Sequence, residues 1–223
     1  MDAAANLRQI NANIQQACAN SNRSPNEITI IGVTKYVTIE RAEEAVNAGV
    51  RHLGENRLEG LREKQTRLQD RAAWHFIGTL QSKKVKDVIT KVDAIHSLDR
   101  MSLAKEINKR AEKPADCFVQ VNVGGEETKH GLKPDETLAF IKDLKNLENV
   151  RIAGLMTMAP YTDDEQRLRR FFREMVSLRD TVKAEQLPHA PCPYLSMGMS
   201  NDYQIAIEEG ATHIRIGSKL VGA

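Results

Sequence analysis

Apolar residues in this chain come as short β-branched runs separated by longer amphipathic stretches. The clearest run is Ile28 to Lys35, ITIIGVTK. It is rich in Ile, Val and Thr, follows the turn-forming Ser24-Pro25-Asn26, and suits a buried strand. Further strand candidates are 52–56, 74–79, 94–98, 117–123, 151–158, 194–199 and 212–216, eight with the first. Between them the spacing predicts helices over 39–48, 57–69, 83–90, 101–111, 134–147, 163–186 and 201–209. A polar helix rich in Ala and Asn, over 3–21, precedes them all. Gly49 and Gly210 stand where helices should stop, since glycine tolerates the positive φ of a helix C-terminus.

Strand and helix alternation of this kind signals βαβ units and a parallel sheet. Eight strands in 223 residues suit a single (β/α)8 TIM barrel, typically about 250 residues long. After the last strand little remains, so a final helix is expected to be absent, with the extra N-terminal helix covering that part of the wall. The rival is an open doubly wound sheet, which usually needs a glycine-rich first turn. The turn after Lys35 is Tyr36-Val37-Thr38, without glycine. No linker or low-complexity stretch divides the chain, so residues 1–223 are expected to form one domain.

Composition narrows the function classes. Hydrophobic residues are 41% and charged residues 28%, with a formal net charge of +2. That balance suits a soluble globular protein and gives no reason to expect nucleic-acid binding. Cys18, Cys117 and Cys192 are odd in number and far apart, which points to a reduced, cytoplasmic compartment. The N-terminus lacks a basic segment leading into an apolar run, and no apolar stretch is long enough to span a bilayer. The six histidines, at 52, 75, 96, 130, 189 and 213, show no metal-ligand spacing. Leu168, Phe171, Phe172 and Met175 fall at helical spacing, so the Arg-rich run around them reads as an amphipathic helix with a buried face rather than a partner surface.

In a TIM barrel, functional residues gather at the C-terminal ends of the strands. Those ends carry Lys35, Gly54-Glu55-Asn56, Gly78-Thr79, His96-Ser97, Ser196 to Ser200, and Gly217-Ser218. On a period of two, Ile31, Val33 and Lys35 share a face, so the first strand is expected to carry its lysine inward. Taken alone, such a lysine is more often just the first exposed residue after a strand. The last two strand ends change that balance. Barrels often bind phosphate with the loops after strands seven and eight, and here those loops hold Gly198-Met199-Ser200 and Gly217-Ser218. Ser200 suits a helix N-cap whose hydroxyl also faces an anion, and Gly217 lets backbone N–H groups approach closely. A lysine facing a phosphate cup suggests pyridoxal 5′-phosphate (PLP), whose aldehyde forms a Schiff base with a free amine. Arg215, two residues before Gly217, lies on the same strand face and is placed to donate to the pyridine nitrogen.

VTK at 33–35, GEN at 54–56, HFIGTLQSKK at 75–84, KHG at 129–131, LMT at 155–157, LSMGMSNDY at 195–203 and RIG at 215–217 together resemble the pyridoxal phosphate homeostasis protein family. That family has a fold-type III barrel similar to the N-terminal domain of alanine racemase. The resemblance implies that Lys35 carries the Schiff base, that Ser200, Gly217 and Ser218 hold the phosphate, and that Arg215 faces the pyridine nitrogen. It places Asn56, His75 and Met199 around the ring, with Lys84 and Lys129 as accessory lysines near the mouth. Thr34, Arg57, Lys83 and the Tyr36-Val37-Thr38 loop depart from the family pattern. The implied role is PLP homeostasis, affecting vitamin B6 pools and amino-acid balance without a clear catalytic reaction. The implied partners are PLP and PLP-dependent apoenzymes as recipients, with the chain a monomer. The alternative is a PLP-dependent amino-acid racemase. Racemization needs acid–base groups on both faces of Cα, and none of Tyr36, Tyr161, Tyr194 and Tyr203 is an obvious second one.

Overall fold

A computed structural model describes residues 2–125 and 130–222. The chain opens with helix α1 (Ala3–Asn20), whose N-terminus is capped by Asp2, its side chain accepting from the Ala4 amide at 2.8 Å. Strand and helix then alternate: β1 (Thr29–Val33), α2 (Ile39–Ala48), β2 (His52–Glu55), α3 (Leu58–Leu68), β3 (Ala73–Phe76), α4 (Val85–Val88), β4 (Ala94–Leu98) and α5 (Met101–Arg110). The second half repeats the pattern with β5 (Ala115–Gln120), α6 (Pro134–Asp143), β6 (Val150–Met156), α7 (Glu165–Ala184), β7 (Tyr194–Met199), α8 (Tyr203–Glu208), β8 (His213–Ile216) and α9 (Ser218–Val221).

The strands pair in parallel and in chain order, and β1 closes on β8 with Ile31 beside Arg215. This is the TIM barrel the alternation predicts. Two expectations need correction. A final helix is present, although α9 is only one turn long. The predicted helix over 83–90 is broken: only Val85–Val88 is α-helical, with 3-10 turns on either side. Its buried residues, Val85, Val88 and Ile89, are all β-branched, and such residues are weak helix formers.

The main core lies between the strand wall and the helices, where Leu53, Leu61, Leu103, Ile107, Phe172 and Ile214 are buried. Helix α7 turns Leu168, Phe171, Phe172 and Met175 inward as its spacing predicts. Its arginines tie it to α8: Arg169 bonds Glu208 at 2.5 Å and Glu209 at 2.9 Å. Helix α1 covers the wall at α2, α8 and α9, with Asn6 donating to the Leu220 carbonyl and Asn13 to the Tyr203 hydroxyl. The barrel interior is different in character. One small apolar cluster, Ala94, Phe118, Ala153 and Met156, sits there beside buried His75, His96, His213, Ser196 and Arg215. TIM-barrel interiors are usually filled by branched aliphatics, so this many polar groups must be accounted for by hydrogen bonds.

Candidate functional site

Strand β1 ends at Val33, two residues before the lysine. Thr34 is buried, its amide donating to the Gly54 carbonyl at 3.1 Å, and Val37 N–H closes a turn on the Thr34 carbonyl at 3.2 Å. That turn ends the alternation, so Lys35 is exposed at the barrel mouth rather than carried inward. Its Nζ lies 5.1 Å from the centre of the Tyr36 ring, within cation–π range. Beneath the turn, Glu55 Oε1 accepts from the Thr34 hydroxyl at 2.6 Å and from Lys64 Nζ at 2.8 Å. Lys64 also donates to the Thr34 carbonyl at 2.7 Å. The sequence reading missed Lys64, although a signal existed: it interrupts the apolar stripe of Leu61 and Leu68 on α3.

Across the mouth, β7 and β8 lose register between Ser196 and Met199. Such a shift re-aims the following side chains. Gly198 permits it: φ is +91°, and a Cβ there would stand 2.6 Å from the Ala206 Cβ. Ser200 is not the helix N-cap expected from the sequence. Helix α8 begins at Tyr203 with Asp202 as its cap residue, and Asp202 Oδ1 accepts from the Met199 amide at 2.5 Å. Ser200 instead bridges the two loops, its hydroxyl accepting from Gly217 N–H at 3.3 Å. Burial raises the Asp202 carboxyl above its usual range. Arg215 is buried and donates to Ser196 Oγ at 2.7 Å and to the Thr157 carbonyl at 2.8 Å. Burial brings its guanidinium down to about 10, with the Asp202 charge working the other way, so it remains cationic at neutral pH.

A cavity of about 860 Å³ joins these parts. It brings together Lys35, Asn56 and Met199 with Ser200, Arg215, Gly217 and Ser218. Its volume is that of a small-molecule or cofactor site. Tyr36, Met158, Tyr161 and Asp202 also line it. Asn56 Oδ1 is buried there and has no hydrogen-bond partner among the described residues, which suits a ligand donor. Gly78 lets the β2 and β3 loops close over that asparagine, since a Cβ there would lie 2.7 Å from Asn56 Cβ.

Two sequence-predicted residues fall elsewhere. His75 lies in the barrel interior, outside the cavity lining, with His52 at 3.0 Å and His96 at 2.8 Å. Lys84 sits on the 3-10 turn Ser82–Lys84 and lines a separate small depression on the other side of Asn56. Lys129 lies outside the described residues.

Comparison with known proteins bears on the family and the fold. The family model for the alanine racemase N-terminal domain matches residues 5–223. The chain is 43% identical over 226 residues to the pyridoxal phosphate homeostasis protein of Aquifex aeolicus, covering all of this chain (100%) and 98% of that one. Among solved structures, it is similar to a protein of unknown function from Bifidobacterium adolescentis, with a TM-score of 0.92 and 30% identity over 98% of this chain and 94% of that one. It is also similar to PipY of Synechococcus elongatus with PLP bound, with a TM-score of 0.82 and 31% identity over 94% of this chain and 100% of that one.

Proposed function

Since this chain belongs to the pyridoxal phosphate homeostasis protein family, built on the alanine racemase N-terminal domain, we propose that it binds PLP in the mouth cavity and serves to hold, buffer and hand over that cofactor in the cytoplasm. The observation that carries the reading is the convergence of the Lys35 amine, the bridged Ser200 and Gly217 loops and the buried Arg215 guanidinium on one cavity. The PipY structure adds weight, because PipY holds the same cofactor.

Lys35 is the residue that would hold PLP here, since its amine could condense reversibly with the aldehyde that the cofactor would supply, with release of water. Ser200, Gly217 and Ser218 would hold the phosphate through hydroxyls and backbone N–H groups, with no side chain at Gly217 to block the approach. Arg215 has only donors to offer, so toward a ring nitrogen placed beside it the guanidinium would favour the acceptor form and disfavour protonation. Asn56, with its unpartnered Oδ1, and Met199 line the same cavity and would border the ring. The lysine and Tyr36 stand in solvent, so these residues exclude water poorly. That supports a carrier, which needs exchange, over a racemase, which needs positioned acid–base groups in a sheltered site. PLP-dependent apoenzymes are the proposed recipients, and the chain acts as a monomer.

Titrating the protein with PLP is expected to produce a Schiff-base absorption band, and borohydride reduction to leave a phosphopyridoxyl label on the peptide containing Lys35. Lys35→Ala should lose both while remaining folded. A band and label that survive that substitution would sink the proposal.

A further inference from the structure

The polar interior of the barrel contains one continuous line of hydrogen bonds. His52 Nδ1 lies 3.0 Å from His75 Nε2, His75 Nδ1 lies 2.8 Å from His96 Nε2, and His96 Nδ1 lies 2.9 Å from Ser196 Oγ. Arg215 Nη1 then donates to Ser196 Oγ at 2.7 Å. The line runs from the first residue of β2 to the guanidinium in the cavity wall.

A guanidinium is donor-only, and this sets the direction of everything behind it. Ser196 Oγ accepts from Arg215, so its own proton goes to the nearest acceptor, His96 Nδ1. His96 must then carry its proton on Nε2 and donate to His75 Nδ1. His75 in turn donates from Nε2 to His52 Nδ1. Reversing the line would leave the buried Ser196 proton with no acceptor among the described residues. An imidazolium in the middle would set two N–H groups against each other. The surroundings favour neutral rings. Burial, more than the neighbouring charges, lowers His75 to about 3 and His96 well below its usual value. Asp93 acts on His52 from outside, and His213 and Arg215 are the other charged or titratable groups acting on His75 and His96. Phe118 stacks on the His96 ring at 4.1 Å, 14° from parallel, and fixes its plane.

We propose that His52, His75 and His96 are positioning residues for Arg215: three neutral rings, each protonated on Nε2, form one directed chain that holds Ser196 and, through it, the guanidinium at the cavity. That the guanidinium meets a pyridine nitrogen rests on the proposed PLP binding; the direction of the chain does not.

Two-bond proton–nitrogen spectra of the cofactor-free protein near neutral pH are expected to show His75 and His96 as Nε2–H tautomers. An Nδ1–H tautomer or an imidazolium at either position would overturn the chain. His75→Leu cuts it with a side chain that packs. A shifted absorption band for bound PLP and roughly tenfold weaker PLP binding are expected. His75→Gln, whose amide both accepts and donates, should restore both. PLP binding and band position unchanged in His75→Leu would refute the positioning role. If His75→Leu fails to fold, the wild-type tautomers and the His75→Gln spectra decide the matter. If the wild type shows no Schiff-base band, the functional reading falls and with it the role toward PLP. The tautomers, read without cofactor, still decide the chain itself.

Discussion

Glu55 and Lys64 form an ion pair that water scarcely reaches, with side chains 1% and 5% exposed. A buried pair is expensive to assemble and more expensive to break, because the survivor stays charged and unpaired. Glu55→Gln should therefore cost about 3–5 kcal/mol of stability by urea denaturation, and should loosen the Lys35 turn through Thr34. Glu55→Leu combined with Lys64→Met should recover most of that loss, since no charge is then stranded. This pair was only half legible in the sequence. Strand-end reasoning selected Glu55 as part of Gly54-Glu55-Asn56, but its partner comes from a helix face, where period-two counting has nothing to say. Lys35 illustrates the opposite error. Its place at the end of β1 was readable; its exposure was not, because alternation fails once Thr34 is tied to Glu55 and the chain turns.

Among the elements, strands and helices were readable nearly to their ends because their hydrophobic periods differ so plainly. Tyr194–Met199 and Ile39–Ala48 fall where the pattern puts them. What the pattern missed are irregularities that depend on neighbours. The broken helix around Val85 is one, and the register shift that carries Met199 and Ser200 to the cavity is another. Gly198 is the hinge of that shift, and its positive φ penalises any side chain. Gly198→Ala is expected to cost about 1–3 kcal/mol, from backbone strain and the clash with Ala206. The same variant should bind PLP more weakly than its stability loss would explain, since Ser200 moves with the bulge. Thermal unfolding and PLP titration of one sample would separate the two effects. The histidine chain was the least visible feature. His52, His75 and His96 sit on three neighbouring strands, and only barrel stagger brings their rings into line.

For the whole molecule, an interior lined with neutral histidines sets a pH limit. In the unfolded chain these groups take up protons below about 6.5; in the folded barrel His75 and His213 stay neutral down to about 3 and about 4. Their contribution is complete above about 6.5 and is lost as pH falls toward those values. Each such histidine steepens the decline by about 1.4 kcal/mol per pH unit. Asp202, raised by burial, works in the opposite sense across the carboxylate range. Urea midpoints measured from pH 7 downward should fall steadily, and His75→Gln should fall less steeply. A flat profile would mean that the interior admits protons freely. Because β1 pairs with β8, every strand of the cylinder has a neighbour on both flanks. Among the described strands no row of idle amides is left for a foreign strand to zip onto, so the closed cylinder offers no edge-to-edge route into fibrils.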